Sequence, residues 1–83
     1  MPTAKMEREP IEVIAAYMQT GMRPLRFRKG GRVYVVRAVH LVHHERQGRE
    51  KWTYYSVSDG TGTYRLAHAS EAAAWYLETV PHL

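Results

Sequence analysis

The sequence predicts an all-β domain, a small antiparallel barrel or roll of five to six strands in mainly meander order. Runs of β-branched and aromatic residues recur along the chain, and Gly-Gly, Gln-Gly and Asp-Gly dipeptides separate them. A chain of this size cannot bury one whole face of a flat sheet. The strands are therefore expected to curl into a barrel or roll.

Length and composition limit the alternatives. The 83 residues suffice for one domain, and we expect a disordered tail over residues 1–9 followed by a single β domain over residues 10–81. Cysteine is absent, which excludes disulfides, thiol catalysis and cysteine-ligated zinc. No signal-peptide pattern or apolar stretch of transmembrane length occurs, so the sequence predicts a soluble cytoplasmic protein without a membrane partner.

The first segment of the domain, residues 11–19, fits two secondary structures. Ile11, Ile14 and Met18 would form a helical stripe, whereas Ile11, Val13 and Tyr17 alternate as in a strand. Periodicity favours the strand slightly. Gly21 and Pro24 then bracket a predicted turn.

A β-hairpin over residues 23–42 is the clearest local pattern, with its turn at Gly30 and Gly31. This turn places Phe27 opposite Tyr34, Leu25 opposite Val36, Arg28 opposite Val33, and Lys29 opposite Arg32. The last pair places two like charges opposite each other. Their repulsion costs on the order of a few tenths of a kcal/mol unless an anion relieves it. The second strand is expected to continue to about residue 44.

Three further elements follow the hairpin. Residues 51–57 and 63–67 are predicted strands, joined by the Ser58–Gly62 loop with its Asp-Gly turn, so that Val57 faces Tyr64 and Tyr55 faces Leu66. Residues 70–77 could form a helix, but a turn at 69–73 followed by a strand is preferred. The expected core comprises Leu25, Phe27, Tyr34, Val36, Tyr55, Val57, Tyr64, Leu66, Trp75 and Leu77.

Several motifs together carry a family resemblance. They are P-I-E-V, R-P-L-R-F-R-K-G-G-R-V-Y-V-V, W-T-Y-Y-S-V, G-T-Y-R-L and W-Y-L-E-T-V, spread over residues 10–80. They resemble a family of small uncharacterised bacterial all-β domains with the pattern P-x-R-F-x-x-x-G-R-x-Y-x-V, then Y-x-L and W-x-L-x-x-V. Some members are encoded near translesion polymerase genes, which implies a nucleic-acid or DNA-repair context. The resemblance implies no catalytic residues, and residues 42–44 depart from the pattern, which more often has a tryptophan there.

The charge distribution points to an anionic partner. Twelve Lys and Arg against eight Asp and Glu give a formal net charge of +4. Because nucleic acids need cations for phosphates and flat side chains for exposed bases, the sequence favours a non-catalytic module that binds DNA or RNA. The predicted contact residues are Arg26, Arg28, Lys29, Arg32 and Arg37. Tyr34, Trp52, Tyr54 and Tyr64 are the aromatic residues expected near them.

Other chemistry is weakly indicated. His40, His43 and His44 could suggest a metal site, but His43 would point away from the other two on a strand, so no metal and no cofactor is expected. The S-D-G-T-G-T stretch lacks the context of a phosphate loop, and Asp59 is read as a turn former. No nucleophile and base are recognisable, so we expect no enzyme activity.

The competing prediction is a protein-interaction or homo-oligomeric assembly module. Val33, Val35, Val39 and Leu41 would all point away from the predicted core, where a solvated sheet face would be polar. Another element or a second copy of the chain could cover this apolar strand face, since small domains often supplement a limited core by pairing.

Overall fold

A computed structural model describes residues 7–79 of the chain. These residues form seven β-strands in one antiparallel sheet of order β3-β2-β1-β7-β6-β5-β4, which curls into a half-barrel. The strands are β1 (Glu7–Met18), β2 (Gly21–Lys29), β3 (Arg32–Val35), β4 (Ala38–Gln47), β5 (Glu50–Ser58), β6 (Thr63–Ala69) and β7 (Ala74–Thr79). The all-β antiparallel prediction is confirmed. Within the described range, no helix is long and apolar enough to cross a membrane.

The predicted number of five to six strands is wrong, because the expected long strand from Val33 divides into β3 and β4. The two residues between them bond to different strands. Val36 N donates a hydrogen bond of 2.9 Å to Leu25 O of β2, and Arg37 N donates one of 2.8 Å to Ser58 O of β5. The chain therefore bends here and passes from one end of the sheet to the other.

β1 joins two halves of the sheet. One half contains β2 and β3, and the other contains β4, β5, β6 and β7. The first part of β1 pairs with β7 as far as Ile11 opposite Trp75, and its second part pairs with β2 from Glu12 opposite Arg28. The strand reading of residues 11–19 is thus confirmed up to Met18. β1 begins at Glu7, three residues before the expected start of order at Pro10, while residues 1–6, 80 and 81 lie outside the described part.

The predicted cross-strand registers are confirmed except for Leu25 opposite Val36, since the pairing of β2 with β3 ends at Arg26 opposite Val35. Phe27 lies opposite Tyr34, Arg28 opposite Val33, and Lys29 opposite Arg32. Gly30 and Gly31 take φ values of 58° and 77° in the turn between them, a region that glycine adopts without a steric penalty. Val57 opposite Tyr64 and Tyr55 opposite Leu66 also pair as expected.

The core lies between the two halves of the sheet. The Phe27 and Tyr34 rings are stacked with centroids 4.8 Å apart, and Tyr64 meets Phe27 edge-on at 5.5 Å. Tyr55 donates a hydrogen bond of 3.1 Å to the Met22 carbonyl. The buried residues of this cluster are Phe27, Tyr55, Val57, Leu66 and Leu77, with Ile11, Val13, Tyr34, Val36, Val39, Tyr64 and Trp75 packed against them.

Leu25 is the one predicted core residue that points outward, and it is 41% exposed. The register between β1 and β2 shifts at this position, because Ile14 pairs with Arg26 and Ala15 pairs with Pro24. Leu25 is the extra residue of this β-bulge, which interrupts the alternation of side chains. Pro24 is fully buried in its place.

The turn predicted at 69–73 is confirmed, and the carboxylate of Glu50 holds it. Glu50 accepts hydrogen bonds from the backbone N–H of Glu71 at 2.6 Å and of Ala72 at 3.2 Å, and from Ser70 Oγ at 3.2 Å. These hydrogen bonds, above all the one from Glu71, lower the pKa of Glu50. The start of β5 is thereby joined to the turn before β7.

Candidate nucleic-acid interface

The outer surface of β1, β2 and β3 mixes basic and apolar residues. Cross-strand pairing places Ile14, Arg26 and Val35 side by side, with Glu12, Arg28 and Val33 in the next row. Side chains directly opposite each other share a face of the sheet. We call these six residues the hairpin face, and a depression of about 460 Å³ lies over it.

The structure brings only two of the five predicted contact residues onto the hairpin face, Arg26 and Arg28. Lys29 and Arg32 pair beside the turn in the same alternation as the core residues Phe27 and Tyr34, so they flank the other side of the hairpin. The Arg32 guanidinium lies 5.1 Å from the Tyr34 ring centroid. The tip of the hairpin therefore carries cations on both sides.

Arg37 is separated from this group. It follows the bend between β3 and β4, and its Cδ lies 3.2 Å from where a side-chain carbon on Gly60 would stand. Its stem thus packs against the loop between β5 and β6. The prediction that Arg37 shares a face with Arg26 and Arg28 is wrong, because the chain bends before residue 37 instead of continuing straight.

Several acidic groups of the described residues are engaged away from these cations. Glu78 contacts two arginines outside the hairpin, and the carboxylates of Glu50 and Asp59 accept backbone N–H groups. Of the described acidic residues, Glu12 alone reaches a hairpin-face cation, with its Oε1 3.6 Å from Arg28 Nη1. Among the described residues, the cations with no carboxylate oxygen within 4.0 Å are Arg23, Arg26, Lys29, Arg32, Arg37, Arg46, Arg49 and Lys51.

A second group of arginines stacks on aromatic rings across the outer surface of β1, β5, β6 and β7. Arg8 lies 4.2 Å from the Trp52 ring centroid and Arg65 lies 4.4 Å from that of Tyr54. Arg8 also donates to the Tyr54 hydroxyl at 3.1 Å. Burial raises the pKa of Tyr54, so this phenol stays protonated at neutral pH. We call this set, with Tyr76 and Glu78, the arginine–aromatic layer.

The aromatic residues expected beside the hairpin cations lie elsewhere. Tyr34 and Tyr64 pack in the core, while Trp52 and Tyr54 belong to the arginine–aromatic layer. The hairpin face, as far as the structure describes it, thus presents aliphatic side chains between its arginines and no ring for a base to stack on. Arg8, Arg65 and Glu78 are not among the site residues predicted from the sequence, since no local pattern links residues 70 positions apart.

The side chains of His40, His43 and His44 do not come together at one point. A bulge between Val39 and Leu41 displaces His40 from the regular alternation of β4. His43 Nε2 lies 3.3 Å from Glu45 Oε1, and His44 Nδ1 lies 3.1 Å from Thr53 Oγ1. Within residues 7–79, no three His, Asp or Glu side chains are grouped as a metal ion requires.

Asp59 organises the loop between β5 and β6. Its Oδ1 accepts hydrogen bonds from Thr61 N at 2.8 Å and Gly62 N at 2.7 Å, which together lower the pKa of the carboxyl group. Gly60 has a φ of 96°, which favours glycine. This geometry is that of an Asx turn and agrees with the reading of Asp59 as a turn former.

The predicted apolar strand face is present in part. Val33 and Val35 are half exposed on the hairpin face, and Leu41 is 64% exposed on β4. Val39 instead packs against the core, because the bulge at His40 reverses the alternation between it and Leu41. Val42, which follows Leu41, is 46% exposed on the opposite side of β4.

Neither the sequence nor the fold matches a protein-family model, a curated protein or a solved structure. The resemblance to small bacterial β domains therefore stays a prediction.

Proposed function

We propose that the protein is a non-catalytic nucleic-acid-binding module that contacts phosphates through the β2–β3 hairpin. The observation that carries the proposal is the imbalance of charge at this hairpin. Arg26, Lys29 and Arg32 have no carboxylate partner among the described residues, and Lys29 and Arg32 face each other as like charges. A phosphate group beside this pair would relieve the repulsion.

The surroundings of the cations favour phosphate contacts over base recognition. Sequence-tolerant binding of unpaired bases uses exposed aromatic rings, and the hairpin face presents Ile14, Val33 and Val35 instead. Phosphate contacts release counterions and depend steeply on salt, whereas they carry no sequence information. We therefore expect similar affinity for unrelated sequences of equal length.

The test is fluorescence anisotropy of labelled single-stranded and duplex DNA and RNA at two salt concentrations. The Arg26→Gln/Arg28→Gln variant removes two charges from the hairpin face. The Arg46→Gln/Arg49→Gln variant is the matched control, because it removes the same charge from the end of β4 and the turn that follows it. Both pairs of arginines are exposed, so neither variant should disturb the fold.

The wild type is expected to bind more tightly at low salt. The hairpin variant should lose affinity, and the slope of log K against log salt should fall by about two, one unit for each lost phosphate contact. The control should retain most of the affinity. Absence of binding at low salt, or equal losses in the two variants, would contradict the proposal, since equal losses would reflect net charge alone.

A further inference from the structure

β4 ends the sheet, and the structure describes a single neighbour for it, β5. It is ten residues long, whereas β3 at the other end has four. A long strand at a sheet edge presents unpaired backbone N–H and C=O groups, to which another strand can add. The edge of β4 is thus the larger of the two available for strand pairing.

The middle of β4 exposes an aliphatic side chain on each face of the sheet. Val42 pairs with Tyr55, whose side chain enters the core, and Leu41 pairs with Ser56 on the outer surface. Val42 also lines a groove of about 430 Å³ together with Met18 and Met22. The side chains of a strand added at this edge would lie beside Leu41 on one face and beside Val42 on the other, so both residues would be partly buried.

The pattern of β4 fits an antiparallel copy of itself. If Val42 of one copy lies opposite Val42 of the other, Leu41 lies opposite His43 on the outer face. Residues 41–44 contain no Lys, Arg, Asp or Glu, and the next two residues are Glu45 and Arg46, which offset each other in charge. The edge formed by β3 offers no comparable uncharged stretch, because β3 has only four residues and one of them is Arg32.

We infer that β4 pairs with β4 of a second copy of the chain, antiparallel about Val42, to form a homodimer with a continuous sheet. The opposed Val42 side chains then lie about 5 Å apart at their Cβ atoms, at the mouth of each groove. This surface is separate from the hairpin face, so the inference does not depend on nucleic-acid binding.

Sedimentation of two charged variants, singly and mixed, tests the pairing. The wild type should sediment with twice the mass of one chain. Val42→Lys and Val42→Glu each place like charges opposite each other at the two-fold axis, so the mass should fall by half. An equimolar mixture should regain the dimer mass, because Lys then faces Glu. Val33→Lys, at an equally exposed valine of β3, should remain dimeric.

Each other outcome overturns the inference. A wild-type mass of one chain at the highest attainable concentration would exclude the dimer. Variants that stay dimeric would place the interface elsewhere, and a mixture that stays monomeric would exclude the register about Val42. Hydrogen exchange of the wild type gives a test without substitution: the β4 amides should exchange more slowly as protein concentration rises, and unchanged rates would contradict the pairing.

Discussion

Arg8 Nε donates a hydrogen bond of 2.6 Å to Glu78 Oε2, and this contact joins β1 to β7, the first and last strands along the chain. The Glu78 side chain is fully buried beneath the two arginines that flank it. Arg65 Nε lies 2.9 Å from Glu78 Oε1, but the angles of this ion pair fall outside those of a hydrogen bond. The carboxylate is thus held between two positive charges at the seam between β7 and its neighbours, β1 and β6.

Replacing Glu78 by Gln should destabilise the fold. The change leaves two guanidinium groups close together without their counter-charge. We expect the free energy of unfolding to fall by about 2 kcal/mol, less than the loss for a fully buried pair because both arginines are partly exposed. Urea denaturation measures this. Glu71→Gln, at an exposed site in the turn before β7, is the control, and equal effects would show that the seam contact contributes little.

Phe27 and Leu25 provide a matched comparison on one strand. Phe27→Ala should cost about 3–5 kcal/mol, because it removes a ring that is 2% exposed and stacked on Tyr34. Leu25→Ala should cost less than about 1 kcal/mol, since the bulge turns Leu25 outward. Thermal or chemical denaturation of both variants tests the placement. A larger loss for Leu25→Ala would mean that the bulge is misplaced.

Glu12 is expected to weaken nucleic-acid binding, because its carboxylate lies beside Arg28. Glu12→Gln should therefore raise the affinity for DNA and RNA at low salt and steepen the salt dependence. Anisotropy titrations measure both quantities, with Glu71→Gln as a variant of equal net charge. If both variants bind equally well, the gain comes from net charge and not from the hairpin face.

His68 should make stability depend on pH. Burial lowers the pKa of His68 below its ordinary value of 6.5, and its ring lies 4.7 Å from Trp75. The unfolded chain takes up the proton first as pH falls, so this contribution to stability is present above pH 6.5 and is lost as pH falls from 6.5 through the folded-state pKa. His68→Gln should lose less stability than the wild type between neutral and mildly acidic pH. Parallel pH profiles would contradict the assignment.

The sequence predicts the local strand pairings of this fold well. It predicts poorly where the strands bend so that the sheet can curl. The Phe27–Tyr34 and Tyr55–Leu66 registers follow from the turn residues between their strands, which fix the pairing over a short stretch. The two bulges, which turn Leu25 outward and Val39 inward, do not follow from local patterns. They arise where β2 and β4 must bend so that the sheet can curl.

The candidate site likewise combines features that local patterns predict with contacts that they do not. Arg26 and Arg28 share a face as strand alternation requires, whereas Arg37 lies beyond the bend between β3 and β4 and packs against a distant loop. The stacking of Arg8 on Trp52 brings together residues of β1 and β5, which are far apart in the sequence, and spacing alone does not reveal this contact. These contacts depend on the pairing of β1 with β7.

The most direct test of the proposed function is an NMR titration of isotope-labelled protein with a short single-stranded oligonucleotide. The backbone amide shifts locate the contact surface residue by residue. We expect the largest changes between residues 26 and 33, with saturation at a concentration that rises with salt. Changes centred on the β4–β5 turn or on the arginine–aromatic layer, with the hairpin unaffected, would contradict the assignment of the hairpin as the nucleic-acid-binding surface.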